Sequence, residues 1–521
     1  MLNTLPASKK AGKQILKGRR VSRWLILLAA IFTVAYFCFL AFWLKPDNRL
    51  LFGLLLIGEV FHVWLSLTYL YTIWGLNSSF KRTVLDPFKS AMLPAVDVFI
   101  TVAGEPEEVV EKTVRAAMAI EYPSKNIFIL NDGWVLKKAN WHGIEDLGKR
   151  LGVKCVTRTV AGGAKAGNIN HALRLTSSPF VAILDADHVP HKDFLKKTMA
   201  YFRDVKMAFV QTPQYYRNHS LNEITQAAWH QQAMFFGPIC QGKSLIKTVP
   251  MCGTNMVIRR QALEEVGGMC QVNIAEDFLT GMFLHERGWK SVFVPEILAE
   301  GLAPEDLLSY VRQQFRWARG SLEVIFTYNP LWRHGLSWRQ KVHYLSSASF
   351  FLSGPVVFLN ALLPVLALYF GLTPLKVSTM STAAIFLPYM LLTVYVLHVS
   401  TNFHFSFKSA AFAVSSFALQ SKALLAVLMG SHNTFLVTSK NRQDGNFLWL
   451  AAPHLTYVIV GIFGLWPAIV REGLSPMVVT NFAWMLFSMS MFLPFIAASL
   501  PVKSSAGVKA GEPVRELSQI S

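Results

Sequence analysis

One uncharged apolar run constrains this chain more than any other feature. WLILLAAIFTVAYFCFLAFWL, residues 24–44, has 21 residues and no charge. At about 1.5 Å rise per residue, such a helix crosses the hydrocarbon of a bilayer. It is longer than the apolar core of a signal peptide and lacks a small-residue cleavage site, so it reads as a retained helix. A second run covers 50–75 and contains Glu59 and His62. Ionisable groups inside a span either face neighbouring helices or mark function. Four further runs lie near 344–372, 377–400, 446–470 and 477–500, making six expected spans. The composition agrees: 52% of the 521 residues are hydrophobic, which is high for a soluble protein.

Charge sets the expected orientation. Lys9, Lys10, Lys13, Lys17, Arg19, Arg20 and Arg23 precede the first run. The positive-inside rule keeps residues 1–23 in the cytoplasm. Two helices over 24–75 then return the chain, so the polar segment 94–330 is cytoplasmic. A membrane region with four helices follows over 331–500. The tail, 501–521, carries Lys503, Lys509 and Arg515 and is cytoplasmic too. Between the spans, 402–430 has only a short uncharged core, SAAFAVSSFALQS, flanked by Lys408 and Lys422. A crossing there would export Lys440 and Arg442, so an interfacial helix is expected. The net charge of +19 fits a nucleotide site and anionic headgroups; the chain has no nucleic-acid recognition motif. Five cysteines, Cys38, Cys155, Cys240, Cys252 and Cys270, show no CxxC spacing. That argues against a disulfide framework or a structural zinc site.

The segment 94–330 alternates. VDVFITVA, NIFILND, KCVTRTV, FVAILDAD and MAFVQT are short β-rich runs, separated by helical stretches such as EEVVEKTVRAAMAI and AKAGNINHALRL. This order predicts a mostly parallel sheet with helices on both faces, and ligands at the carboxyl ends of its strands. The second run ends in Asn131-Asp132-Gly133. Asp132 can accept hydrogen bonds from a base or ribose, and Asp-Gly is also an ordinary turn. The fourth ends in Asp185-Ala-Asp187, where strand alternation would put both carboxylates on one side. A pair of like charges suits a hard divalent cation holding a diphosphate, or a solvated loop. Lys165, in the Gly-rich AGGAKAG, is placed to reach phosphates; a complete P-loop is absent. Asp277 precedes a helical run and could be a general base or an N-cap. Gln313, Arg316 and Trp317 lie on a long helix just ahead of the spans. Arg316 can brace a phosphate and Trp317 can face a sugar ring or sit at headgroup level.

In this order, NDG, AKAGNINHA, LDADHVP, VQTPQ, MCGTN, AEDFLTG, QQFRWARG and FLVTSK resemble the processive, membrane-embedded glycosyltransferases of family 2, most closely the bacterial cellulose synthase catalytic subunit. The resemblance covers roughly 94–445. It implies a GT-A nucleotide-sugar transferase domain inserted between transmembrane helices. It implies an inverting transferase, polymerising a β-linked glycan from UDP-glucose and extruding it across the inner membrane. Asp132 would contact the uridine, with Glu105 beside it. Asp185 and Asp187 would hold Mg²⁺ or Mn²⁺, with Lys165 at the diphosphate and Asp277 as catalytic base. Gln313, Arg316 and Trp317 would meet the acceptor, Cys252, Gly253 and Thr254 would line its path, and Phe435, Val437, Thr438 and Lys440 would form a gating loop within about 431–445. The implied partners are the nucleotide sugar, the growing polysaccharide and the bilayer, with a periplasmic export partner left open. Other polymer synthases of the family (curdlan, mixed-linkage glucan, mannuronan or hyaluronan type) and a transferase acting on a lipid phosphate carrier are the alternatives. The chain departs from the family at Val102-Ala103-Gly104-Glu105-Pro106, which lacks the usual aromatic two positions before the Glu-Pro, and at Asn131, often Asp. With 21 residues after the last span, an appended PilZ barrel is not expected.

Overall fold

A computed structural model describes residues 16, 18–77, 93–376, 379–430, 443 and 445–501. Seven strands build the central sheet: β1 Val96–Val102, β2 Lys125–Asn131, β3 Lys154–Thr157, β4 Phe180–Asp185, β5 Met207–Gln211, β6 Met256–Arg259 and β7 Lys290–Phe293. Their spatial order is β7-β5-β6-β4-β1-β2-β3. The pairs β1–β2, β1–β4, β2–β3 and β5–β7 are parallel. β6 runs antiparallel between β4 and β5. All seven residues of β1 are buried, as a strand covered on both faces requires. Alternation divides them. Val98 and Ile100 join Ile129, Leu184 and the helix residues Val110 and Val114 on one face. Phe99 joins Leu130, Ile183, Phe209 and Ile169 on the other. The five β-rich runs of the sequence are strands β1 to β5. β6 and β7 have four residues each, too short to show a period, and only their pairing defines them.

Among the described residues, seven helices are long and apolar enough to cross a membrane: Arg23–Trp43, Arg49–Trp74, Trp338–Phe370, Ala383–Ser400, Phe407–Leu428, Leu448–Glu472 and Pro476–Ser499. Six match the expected runs. The seventh, Phe407–Leu428, is the stretch expected at the interface, so hydropathy and length alone raise the count by one. It is two helices, Phe407–Ser415 and Phe417–Leu428, joined at Ser416. At 1.5 Å per residue neither exceeds about 18 Å, short of the roughly 30 Å of hydrocarbon. Lys408 pairs with Glu223 of the sheet domain at 2.7 Å. Ala423 packs against Ala318 and Leu322 of the helix Leu307–Thr327. Both contacts favour a place between the sheet domain and the spans. Lys243 adds another tie, donating to the His343 carbonyl at 2.9 Å at the start of the third apolar helix.

Candidate active site at the strand ends

The carboxyl ends of β2, β1 and β4 lie side by side, with β1 between Asp132 and Asp185. At the end of β2 the turn is made by Asn131, whose Oδ1 accepts from Gly133 N at 2.9 Å. Asp132 is therefore not needed for the turn. Its carboxylate takes two hydrogen bonds from Arg158, Nε to Oδ1 and Nη2 to Oδ2, both 2.9 Å. Burial pushes this carboxyl up, and the Arg158 hydrogen bonds and charge oppose it. Arg158 also donates to the carbonyls of Gly162 and Ala164, fixing the Gly-rich turn that opens the helix Ala164–Leu173. A Cβ at Gly167 would collide with that turn. Arg158 escaped the sequence reading; its position just after β3 was the available signal.

Strand alternation does not bring Asp185 and Asp187 together. β4 stops at Asp185, and a turn closed by His188 N to Asp185 O at 3.0 Å folds Asp187 back. The ligand atoms of Asp185, Asp187 and His188 then lie within 4.8 Å of one another. Two carboxylates and an imidazole form an oxygen-rich donor set suited to a divalent cation. Asp187 is 1% exposed and accepts from Leu302 N at 3.0 Å; His188 is oriented through Nδ1 by Asn255 Oδ1 at 2.9 Å. His188 is the ligand candidate that the sequence reading missed, although it directly follows the acidic pair.

Lys165 ion-pairs with Asp185 and donates to the Gly253 carbonyl at 2.8 Å. Burial raises the Asp185 carboxyl, but Lys165 and His188 outweigh it and hold it below the ordinary range. Thr254 locks the MCGTN turn to the same strand end, accepting from Asp185 N at 2.8 Å. Gln211, from the VQTPQ stretch, braces the turn twice, accepting from Cys252 N at 3.0 Å and donating to Thr254 O at 2.8 Å. Gly253 has φ +76°, and a Cβ there would stand 2.8 Å from Asp277 Oδ2. The turn thus places the backbone against Asp277.

Asp277 is not the N-cap of its helix. That position is Ala275, and Asp277 lies in the first turn, accepting from Phe278 N at 2.7 Å. Burial raises the carboxyls of both Asp277 and neighbouring Glu276; Lys165 and Arg316 pull each back. Glu276, next in line to Asp277, was not singled out from sequence. Arg316 comes from the helix Leu307–Thr327, capped by Asp306 through Ser309 N at 2.8 Å. One turn on, Gly320 lets this helix press on Ala275, where a Cβ would meet Ala275 N at 2.7 Å. Gln313 is buried and Trp317 half-buried on the same helix. Glu105, after β1, accepts from Ala103 N at 2.6 Å and shapes that loop. Phe435, Val437, Thr438 and Lys440 lie outside the described residues.

Residues 94–320 match the family described as glycosyltransferase like family 2, and 264–462 match the cellulose synthase family. Putative cellulose synthase 2 of Komagataeibacter xylinus is 29% identical over 506 residues, 92% of this chain and 33% of that protein. The cellulose synthase catalytic subunit [UDP-forming] of Pseudomonas fluorescens (strain SBW25) is 29% identical over 483 residues, 89% and 63% of the two chains. That of Xanthomonas axonopodis pv. citri (strain 306) is 34% identical over 351 residues, 64% and 47%. The chain spans about a third of the length of the first curated relatives it matches. A mannosyltransferase from Pyrobaculum calidifontis, solved in complex with GDP-Man and Mn²⁺, shares the fold with a TM-score of 0.53 at 16% identity, over 73% of this chain and all of that one.

The sheet has the GT-A fold, and residues 94–320 carry the match to glycosyltransferase like family 2. Within that class the chain is similar to the cellulose synthase-like members, through the segment 264–462 and the bacterial catalytic subunits it resembles.

Proposed function

We propose that this protein is a processive, inverting hexosyltransferase that builds a β-linked, cellulose-like glucan from UDP-glucose and passes it across the inner membrane. The observation that carries the reading is a convergence. Lys165 touches both Asp185 and the Gly253 carbonyl, Gly253 abuts Asp277, and the Arg316 helix presses on Ala275. Residues from five separate sequence stretches thereby face one point beside the apolar helices. The basic N-terminus supports a cytoplasmic catalytic domain.

In this reading Asp277 takes the proton of the acceptor hydroxyl as its oxygen bonds to the anomeric carbon. The bond from that carbon to the diphosphate breaks, and its electron pair leaves with UDP. Lys165 and Arg316 meet the negative charge that grows on the departing diphosphate. Asp185 and Asp187, with His188, would hold Mg²⁺ or Mn²⁺, which supplies Lewis-acid neutralisation of that charge. Asp132 and Glu105 contact the nucleoside. Gln313 and Trp317 hold the acceptor end, which passes Cys252, Gly253 and Thr254. Because product size separates the candidates, the deciding experiment gives purified protein a panel of labelled nucleotide sugars. Long polymer sensitive to β-1,4-glucanase is expected from UDP-glucose. A single glycolipid, or no transfer, would overturn the reading.

Two further outcomes follow. Gly253→Ala places a methyl against Asp277 at a positive φ, so turnover should fall by up to about 10², the effect of a small misplacement of a reacting group. Unchanged turnover would show that the turn does not position Asp277. A general base works only as carboxylate, and the Asp277 carboxyl is raised. Activity should therefore be full above its pKa and lost as pH falls through it, at a pH above the ordinary aspartate value of about 3.9. A kcat/KM profile against pH measures that limb; one lying at or below the ordinary value would remove a buried carboxylate from the base role.

A further inference from the structure

A cavity of about 580 Å³ opens beside the candidate site, and the mechanism does not use it. Trp134, Lys137, Lys138, Trp141 and Ala161 are among its walls. Trp134 is 48% exposed, unusual for so large an apolar ring. Trp141 meets it edge-on, ring centroids 5.1 Å apart, and Trp141 is itself wedged against Gly133, where a Cβ would stand 2.6 Å from the Trp141 Cβ. The Trp134 ring is thus buttressed on one side and open on the other. The Lys138 stem lies over Gly104, whose missing side chain makes room for it. The loop after β1, Ala103 to Pro106, contains no aromatic ring.

The cavity is joined to the acidic cluster by consecutive contacts. Trp134 stands two residues after Asp132, which is held by Arg158. Arg158 binds the Gly162 and Ala164 carbonyls next to Ala161. Lys165 follows and reaches Asp185. A flat ring at one end, a carboxylate and guanidinium between, and a lysine with acidic residues at the other match the parts of a nucleoside diphosphate. Two exposed lysines on the rim suit its charge.

Resting on the glycosyltransferase reading above, we propose that Trp134 is the stacking platform for the nucleobase of the sugar donor, buttressed by Trp141. A stacked indole grips any base, since every base has a π-face. The platform therefore supplies affinity, and choice among bases belongs to other groups at the site.

Titration calorimetry of the full-length, detergent-solubilised protein tests this, using UDP, GDP and inorganic pyrophosphate, each with Mg²⁺. Trp134→Ala should weaken UDP and GDP by a similar factor, about ten-fold or more, and leave pyrophosphate unchanged. Trp134→Phe, which keeps a ring, should recover most of the loss. UDP binding unchanged in Trp134→Ala overturns the proposal. So does equal weakening of UDP and pyrophosphate, which would make the residue a support of the loop only, and so does failure of Trp134→Phe to recover binding. If the parent protein makes polymer yet Trp134→Ala binds UDP normally, this inference alone falls. A parent protein that binds no nucleoside diphosphate removes both readings together.

Discussion

Replacing Asp277 with asparagine should abolish polymer synthesis while leaving UDP binding intact. The asparagine keeps the shape and can still accept the hydrogen bond from Phe278 N that Asp277 accepts at 2.7 Å, so the start of the helix Glu276–Glu286 should hold. It cannot take a proton at neutral pH. Loss of general-base help costs about 10² to 10⁴ in rate. In the proposed reading UDP is held elsewhere, by Lys165 and the groups at the ends of β2 and β4, so its affinity should persist. Glu276 sits next in the chain, half-buried, and is raised by the same burial. The measurement is single-turnover glucose transfer alongside UDP titration. Transfer at near-parent rate would sink Asp277 as the base. Near-parent transfer in Asp277→Asn together with loss in Glu276→Gln alone would move the role to Glu276.

Arg158→Ala should destabilise the catalytic domain by about 3 to 5 kcal/mol, the cost of leaving one member of a buried ion pair behind. Asp132 is 5% exposed and both its oxygens are held by the guanidinium. Without Arg158 the carboxylate has lost its compensating charge, and the Gly162 and Ala164 carbonyls lose a donor. Unfolding of the solubilised protein should begin at a lower temperature, and UDP affinity should fall with it. Arg158→Ala combined with Asp132→Asn should be less destabilised than Arg158→Ala alone, because no orphan charge remains. A parent-like unfolding temperature in Arg158→Ala would mean that Asp132 is solvated rather than dependent on this pair. The same comparison separates two roles for Asp132: a group that meets the nucleoside directly, and a group that positions Arg158 and the Gly-rich turn.

Some of this arrangement was legible from residues alone. Apolar runs longer than a bilayer announce themselves whatever surrounds them, and six of the seven long apolar helices stand where such runs lie. Strands β1 to β5 read as short β-rich runs, and β2 to β5 end in polar residues. The acidic pair, Lys165 and Asp277 were visible because they lie at the ends of elements, and Arg316 because it stands beside Trp317 just ahead of the apolar runs. Harder to see were groups whose purpose is to hold another group. Arg158 has no pattern around it, His188 looks like an ordinary loop residue, and Gly320 looks like a helix-weakening glycine until Ala275 is found against it.

Sequence by itself determined the class of elements: long apolar helices around a polar, strand–helix alternating segment, with carboxylates at strand ends. Those follow from local chemistry, since hydropathy, strand propensity and turn residues act over a few neighbours. Only the tertiary structure decided which charges meet. Asp132 with Arg158, Lys165 with Asp185, and Gly253 against Asp277 join residues 20 to 26 positions apart. It also decided that Asp187 returns through a turn, and that Phe407–Leu428 breaks at Ser416 against the catalytic domain. The physical reason is the same in each case: desolvation makes a buried charge depend on its partner, and partners are chosen by packing, which no local pattern encodes.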